Sequence, residues 1–462
     1  MLYRSFVPLF MASIVPHNDL RVGTSNRQIL KIAMPISLAL LVPQINFVAN
    51  TIFLGGLGEL ELGAAGITGV YYLVFALVGN GLNSGLQALI ARRAGENRRN
   101  DIGLLFSQSI WIALLFAAFS ILLCYLAAPY FFGAVIQNEA IRKDAIEFSL
   151  IRILGLPFLY LFQMCNAMLV GTNNSKYLKY AFFVEAVLNI FLDYALIYGK
   201  FGFNAIGFNG AAIASVCAEI TGLAIVLGLI HYKKFNRQFS LFSYLKFRPQ
   251  TAGLIFKQSS PLVLQFVLSV GAWLLFYLLI EKHGPRPLAI SNAIRNMFGV
   301  FGIFMWAFAN TSNAMVSNII GQGKKEQVLY IIGKIARLSF SFTLVMCVLI
   351  NIFPHIVLSI YGQGPDFIAD ATPVLRIVSI GLLMMSVGTV WLNGVTGTAN
   401  TKVNLAIELV TIAVYSLYIY LVLHVYHLSL AWAWASELLY WSLLFSLSYM
   451  YLRSGKWKHK VI

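Results

Sequence analysis

The run Gly171-Thr172-Asn173-Asn174-Ser175-Lys176 returns as Gly397-Thr398-Ala399-Asn400-Thr401-Lys402. The offset is 226 (397 minus 171), and Lys31, Pro35 and Gly95 recur at that same offset as Lys257, Pro261 and Gly321. A spacing held this constant marks an internal duplication. Duplicated helical bundles with a seam between the copies are how many secondary transporters build a site near the membrane midplane. Function is therefore sought at the seam.

The sequence around these markers is apolar. With 59% hydrophobic and 11% charged residues and a mean hydropathy of +0.78, the chain is far from a soluble globule, which carries about a quarter charged residues. Twelve apolar stretches are long enough to cross a core about 30 Å thick. They run roughly over 29–54, 62–91, 102–128, 145–170, 177–199, 206–231, 252–280, 288–320, 328–353, 371–396, 403–425 and 428–452. They are continuously apolar and do not alternate by twos, which excludes a β-barrel and leaves helices.

Of the 33 Lys and Arg residues, 25 fall on the flanks that are cytoplasmic if both termini are inside, five fall on the outer flanks, and Arg152, Arg295 and Arg376 lie within spans. This bias predicts a multi-pass protein of the plasma (inner) membrane with cytoplasmic termini. It also accounts for the net charge of +16, so no nucleic-acid partner is expected. The fold expected is all-α, twelve transmembrane helices in two six-helix lobes related by a pseudo-two-fold axis along the membrane normal. The parts are an N-terminal tail (1–26), an N-lobe (27–231), a basic cytoplasmic linker (232–251), a C-lobe (252–452) and a basic C-terminal tail (453–462). The apolar run Phe6 to Val15, broken by Pro8 and Pro16, is too short to span and reads as part of the tail. Cys124, Cys165, Cys217 and Cys347 show no pairing or metal-ligand spacing and read as small core residues. Pro35, Pro261 and Pro157 are expected as hinges, since each removes an intrahelical hydrogen bond.

Five acids fall deep inside spans: Glu185, Asp193, Glu219, Glu408 and Glu437. Such residues are costly in lipid and point to function. Glu185, Asn189 and Asp193 share one helix face. Asp193 lies about 9 Å from the outer end of its span at about 1.5 Å per residue, and Asn50 and Ser215 lie at similar depth. A carboxylate among amide and hydroxyl oxygens can bind a small cation, Na+ included, or hold a proton. Bonding between neighbouring helices is the plainer alternative for Asp193 and Asn189. Glu219, one turn below Ser215, belongs to that network or faces the cavity. For Glu408 and Glu437 packing and transport are equally open, and Arg152 and Arg376 are expected to snorkel outward or cap the lobes.

Pro35, Asn50-Thr51, Gly55-x-Leu57-Gly58, Ala64-Ala65, Gln87, Gly95 and Gly171, with Asn189-Ile190-Phe191-Leu192-Asp193-Tyr194 and Gly207-x-x-Gly210-Ala211-Ala212-x-Ala214-Ser215, together resemble the multidrug and toxic compound extrusion (MATE) family of antiporters. The likeness runs from about residue 27 to 452. It implies a two-lobed exporter that exchanges H+ or Na+ for bulky, often cationic and lipophilic compounds, without an organic cofactor and without being an enzyme. It places Asn189 and Asp193 at the family's cation-coupling pair, Ser215 at a hydroxyl-bearing position and Gln163 near an amide position. Asn50 departs from the pattern, because many members carry Asp there. Spans seven and ten hold no interior acid, so coupling is expected in the first lobe, at Asp193.

The cavity walls are expected from spans one, two, seven and eight, where Tyr71, Tyr72, Phe75, Trp273, Phe276 and Trp306 could face planar cations. Ordinary helix packing is the alternative for these aromatics. A lipid-linked saccharide flippase of the same superfamily is the rival reading, but only Arg295 offers a cavity cation for a pyrophosphate. The chain lacks a P-loop, and its histidines cluster only as His424 and His427, which argues against an ATP-driven pump and a membrane enzyme. The expected partners are small-molecule substrates and lipid, with the protein acting as a monomer.

Overall fold

A computed structural model describes residues 19–362 and 364–460, so the run Phe6 to Val15 lies outside it. The described residues form helices and no strands. The first half holds α1 (Asn26–Gly55), α2 (Glu59–Gly95), α3 (Arg99–Val135), α4 (Glu139–Gly171), α5 (Leu178–Tyr198) and α6 (Phe208–Tyr232). The second holds α7 (Pro249–Glu281), α8 (Pro285–Gly321), α9 (Val328–Ile352), α10 (Pro365–Gly397), α11 (Thr401–Tyr420, ending in a π turn) and α12 (Ser436–Arg453). Among the described residues, eleven helices are long and apolar enough to cross a membrane. The twelfth expected span, 428–452, is divided into Leu430–Trp434 and α12 at Ala435, and α12 is diluted by Glu437 and its serines.

The two halves repeat one another in detail. α1 packs on α5 as α7 packs on α11, and α2 packs on α4 as α8 packs on α10. The turn at Gly171–Lys176 is built a second time at Gly397–Lys402. Asn173 and Ala399 both take left-handed backbone (φ 61° and 64°), and Asn174 and Asn400 each donate to the Thr two residues earlier. The corresponding turns after α2 and α8 are left-handed at Asn97 and Gly323.

The expected hinges differ. α4 is interrupted by a 3-10 turn, Ile153–Gly155, and restarts at Leu156 with Pro157 in its first turn, where a proline needs no hydrogen bond. Pro35 and Pro261 lie inside unbroken helices.

The halves meet along α2, α7, α8 and α1. Gly81 and Gly85, four residues apart, let α2 touch α7 closely: a Cβ on Gly81 would stand 2.6 Å from the Cα of Val263, and one on Gly85 2.8 Å from that of Ser259. Further along, side chains of α8 bond the backbone of α2. Asn313 Nδ2 donates to the Ser84 carbonyl at 3.0 Å and Ser317 Oγ to the Ala88 carbonyl at 2.5 Å, while Gln87 Nε2 returns a bond to the Asn310 carbonyl at 2.8 Å. At the basic end Gly95 lies against the Asn318 carbonyl and Gly321 against the Arg92 carbonyl, so closely that neither site admits a Cβ. The seam is therefore sealed at that end. The segment just before α1 is sewn into the seal. Asn318 accepts from the Val22 N–H and donates to the Leu20 carbonyl, both at 3.1 Å, and Gln322 donates to the Val22 carbonyl at 3.0 Å.

Candidate ion and substrate site

Asp193 is completely buried, 0% exposed, and neither carboxylate oxygen has a hydrogen-bond partner. Its helix is fixed against α1 at the same end by the Tyr198 hydroxyl, which donates to the Phe53 carbonyl at 2.6 Å, and by the Phe53 and Tyr194 rings. Asn50 on α1 also has a buried, unpartnered Oδ1. One turn before Asp193, Asn189 Nδ2 reaches Ser215 Oγ on α6 at 3.5 Å, a long bond that leaves both groups loosely held. An ionised carboxylate buried without a donor costs several kcal/mol, a cost that a proton or a bound cation would offset. No group of three His, Cys, Asp or Glu side chains is positioned to hold a metal among the described residues. A cation at Asp193 would depend on neutral oxygens, for which Asn189, Ser215 and Asn50 are the available donors.

The other first-lobe acids have different surroundings. Glu219 is held by Arg152 through two bonds, 2.7 and 2.9 Å, with the guanidinium 3.9 Å over the Tyr72 ring and the Tyr72 hydroxyl donating to the same carboxylate at 3.0 Å. The expectation that Arg152 snorkels outward or caps the lobe is thus overturned. A buried cation finds its lowest energy beside a buried anion, and Gly155 in the break of α4 leaves the space. The charge of Glu219 is thus compensated by Arg152, and Tyr72 is tied to this pair. Glu185 leans on Gly222, where a Cβ would come within 2.7 Å of its Oε2, and so faces the neighbourhood of the ion pair. Gln163 sits in an amide chain, donating to Asn80 Oδ1 at 2.9 Å and accepting from Asn166 at 3.2 Å, which ties it to α2 instead of to Asp193.

The expected cavity aromatics divide. Tyr71 and Phe75 pack together, with Tyr71 also on Phe131 and Phe132 of α3, and Phe276 (1% exposed) is wedged among Tyr277, Tyr415 and Trp434. Phe75 and Phe276 are core residues, and Tyr71 is partly buried against the core. Trp273 rests on Tyr277 and Phe298, and Arg295 lies over the Tyr277 ring at 5.3 Å. Trp306 alone of the set is open, at 38% exposed beside Phe266.

Sequence reasoning missed the polar seam. Asn313, Ser317 and Asn318 recur on one face of α8, and Ser84 and Gln87 lie within the small-residue stripe of α2. Polar residues at helical spacing inside an apolar window were the available signal.

A described bundle of two like helical halves, crossing a membrane and sealed at one end of its seam, is the body of a membrane transporter. The model of the MatE family matches residues 35–195 and 261–422. The chain belongs to this family of multidrug and toxic compound extrusion transporters, which are not enzymes. It is 24% identical over 452 residues to the probable multidrug resistance protein NorM of Thermotoga maritima, covering 94% of each chain. It is 22% identical to the multidrug resistance protein MdtK of Yersinia pseudotuberculosis, over 81% of this chain and 82% of that one. Its fold matches a multidrug resistance MATE family transporter of the MOP superfamily in an outward-facing conformation, with a TM-score of 0.83 at 18% identity, covering 94% and 96%. It also matches a MOP superfamily transporter from Pyrococcus furiosus, with a TM-score of 0.84 at 17% identity, covering 93% and 96%.

Proposed function

We infer that the protein exports lipophilic, often cationic drugs or toxic compounds by alternating access, in exchange for H+ or Na+ taken at Asp193. The observation that carries this reading is Asp193 itself, fully buried with both oxygens unpartnered. Relatives named as multidrug resistance proteins support the substrate class. The basic flanks support a cytoplasmic location for the sealed end, which makes this conformation closed to the cytoplasm. Ion and substrate then act by preferring different lobe arrangements, each shifting the equilibrium only by its difference in affinity. The flippase alternative is disfavoured because Arg152 is already neutralised by Glu219 and Arg295 covers a tyrosine ring, leaving little cationic surface for a pyrophosphate.

The test is dye counterflow from proteoliposomes under an imposed pH gradient and, separately, an imposed Na+ gradient. Asp193→Asn is expected to bind dye but to lose gradient-driven efflux. Intact efflux in that variant would overturn the assignment. Drug susceptibility of cells, set beside accumulation of lipid-linked precursors, separates exporter from flippase.

A further inference from the structure

The second lobe holds a buried acid of its own. Glu408 on α11 is 2% exposed, and among the described residues no Lys, Arg or His pairs with it. Its neighbours are neutral. Ser269 Oγ on α7 lies 2.6 Å from Oε1, Gln265 Nε2 lies 3.3 Å from Oε2, and the Tyr440 hydroxyl on α12 bonds Oε1. The only other acid on these packed helices that lies near is Glu437, one turn before Tyr440, and its Oε2 is occupied by Trp441 Nε1 at 2.8 Å. Tyr277 on α7 uses its hydroxyl on the Ser291 carbonyl. Among the described residues no ion pair or hydrogen bond reaches Glu408 from α10.

Ser269 bears on the protonation state. Its hydroxyl oxygen is also 2.9 Å from the Gln265 backbone carbonyl, one turn back in α7. A serine has one proton to give and here stands between two acceptors if Glu408 is ionised. The contacts are both hydrogen bonds when Glu408 is a carboxylic acid. Tyr440 then donates to Oε1, the Oε1 proton goes to Ser269, and Ser269 donates to the Gln265 carbonyl. Gln265 donates to Oε2, while its own Oε1 stays buried and unpartnered. In that arrangement Tyr440, Glu408, Ser269 and Gln265 each donate to an acceptor, and Glu408 itself carries no uncompensated charge.

We propose that Glu408 is a second proton-carrying site, so that each lobe holds one transported proton, at Asp193 and at Glu408. The step is simple protonation: the carboxylate takes one proton from water in one lobe arrangement and returns it to water in another. The inference rests on reading the protein as an ion-coupled exporter.

The experiment measures protons released when ethidium is added to the purified protein in weakly buffered detergent with a pH-indicator dye. Glu408→Gln and Asp193→Asn are each expected to lower the release to roughly half, and the double variant to abolish it. Full release from Glu408→Gln overturns the second site, whether or not Asp193→Asn loses its release; loss in Asp193→Asn alone leaves the first-lobe reading standing by itself. Full release from both single variants overturns both readings. Saturable binding of radioactive sodium that disappears in Glu408→Gln would make this a cation site and equally overturn the proposal. Tyr440→Phe keeps the carboxyl and guards against misfolding: it is expected to move the pH midpoint of release while leaving the amount unchanged, and an unmoved midpoint counts against the site.

Discussion

Arg152 and Glu219 meet in a two-pronged ion pair inside the first lobe, 2.7 and 2.9 Å apart, although 67 residues separate them. Glu219 is buried and the Arg152 side chain only 14% exposed, so removing one partner leaves the other charged and poorly solvated. Arg152→Ala is expected to cost about 3–5 kcal/mol, and replacing both by apolar residues of similar size to cost less than either single change. Thermal unfolding of the four members of the double-mutant cycle in detergent reads this directly.

The reciprocal glycines make a second prediction. Gly95→Leu and Gly321→Leu each push a side chain into the carbonyl of the opposite lobe. Both variants are expected to fold but to favour an arrangement open at the basic end. Alkylation of a cysteine placed at the seam, for example Ser84→Cys, would rise in both, and unchanged labelling would show that this contact does not set the equilibrium.

The segment before α1 adds to the same seal. Asn318→Ala removes the bonds to Leu20 and Val22 together, at about 0.5–1.5 kcal/mol net for each. Proteolysis near residue 21 is expected to quicken in the variant, while melting of the helical bundle moves little.

The aromatics should separate by role. Phe276→Ala empties a packed site and is expected to cost about 3–5 kcal/mol of stability. Trp306→Ala removes a half-open ring and should spare stability while weakening dye binding, read by fluorescence titration. The reverse pattern would mean that the open ring is not part of the substrate path.

Ala399 occupies left-handed backbone that its counterpart Asn173 tolerates better. Ala399 is fully buried, so the test is the smaller residue: Ala399→Gly is expected to stabilise the protein by about 1 kcal/mol, seen as a higher melting temperature.

The spans and the duplication were legible because bilayer insertion writes itself as continuous apolar sequence, and because the Gly171 and Gly397 motifs mark turns that must be made twice. The break of α4 was half legible, since Pro157 announced an irregularity, while Pro35 and Pro261 lie inside continuous helices. The pairing of Arg152 with Glu219 was not, because no local spacing brings α4 and α6 together at that point. The clue was energetic: a cation within a span needs an anion, and only a few acids were available. The environment of Glu408 was hidden for the same reason, its partners Ser269 and Tyr440 being unremarkable alone. The places of Phe75 and Phe276 were left open because hydrophobic patterning cannot tell a ring that lines a cavity from one that fills a core.

The mutual fit of Gly95 on Asn318 and Gly321 on Arg92 has a genealogical meaning. Because each copy offers the other the same donor of space and the same receiving carbonyl, one patch suffices to close the gate when it meets itself across a dyad. A predecessor of half the length could have shut as a pair of identical subunits, before fusion freed the two copies to diverge, one keeping its acid on the fifth crossing and the other on the eleventh.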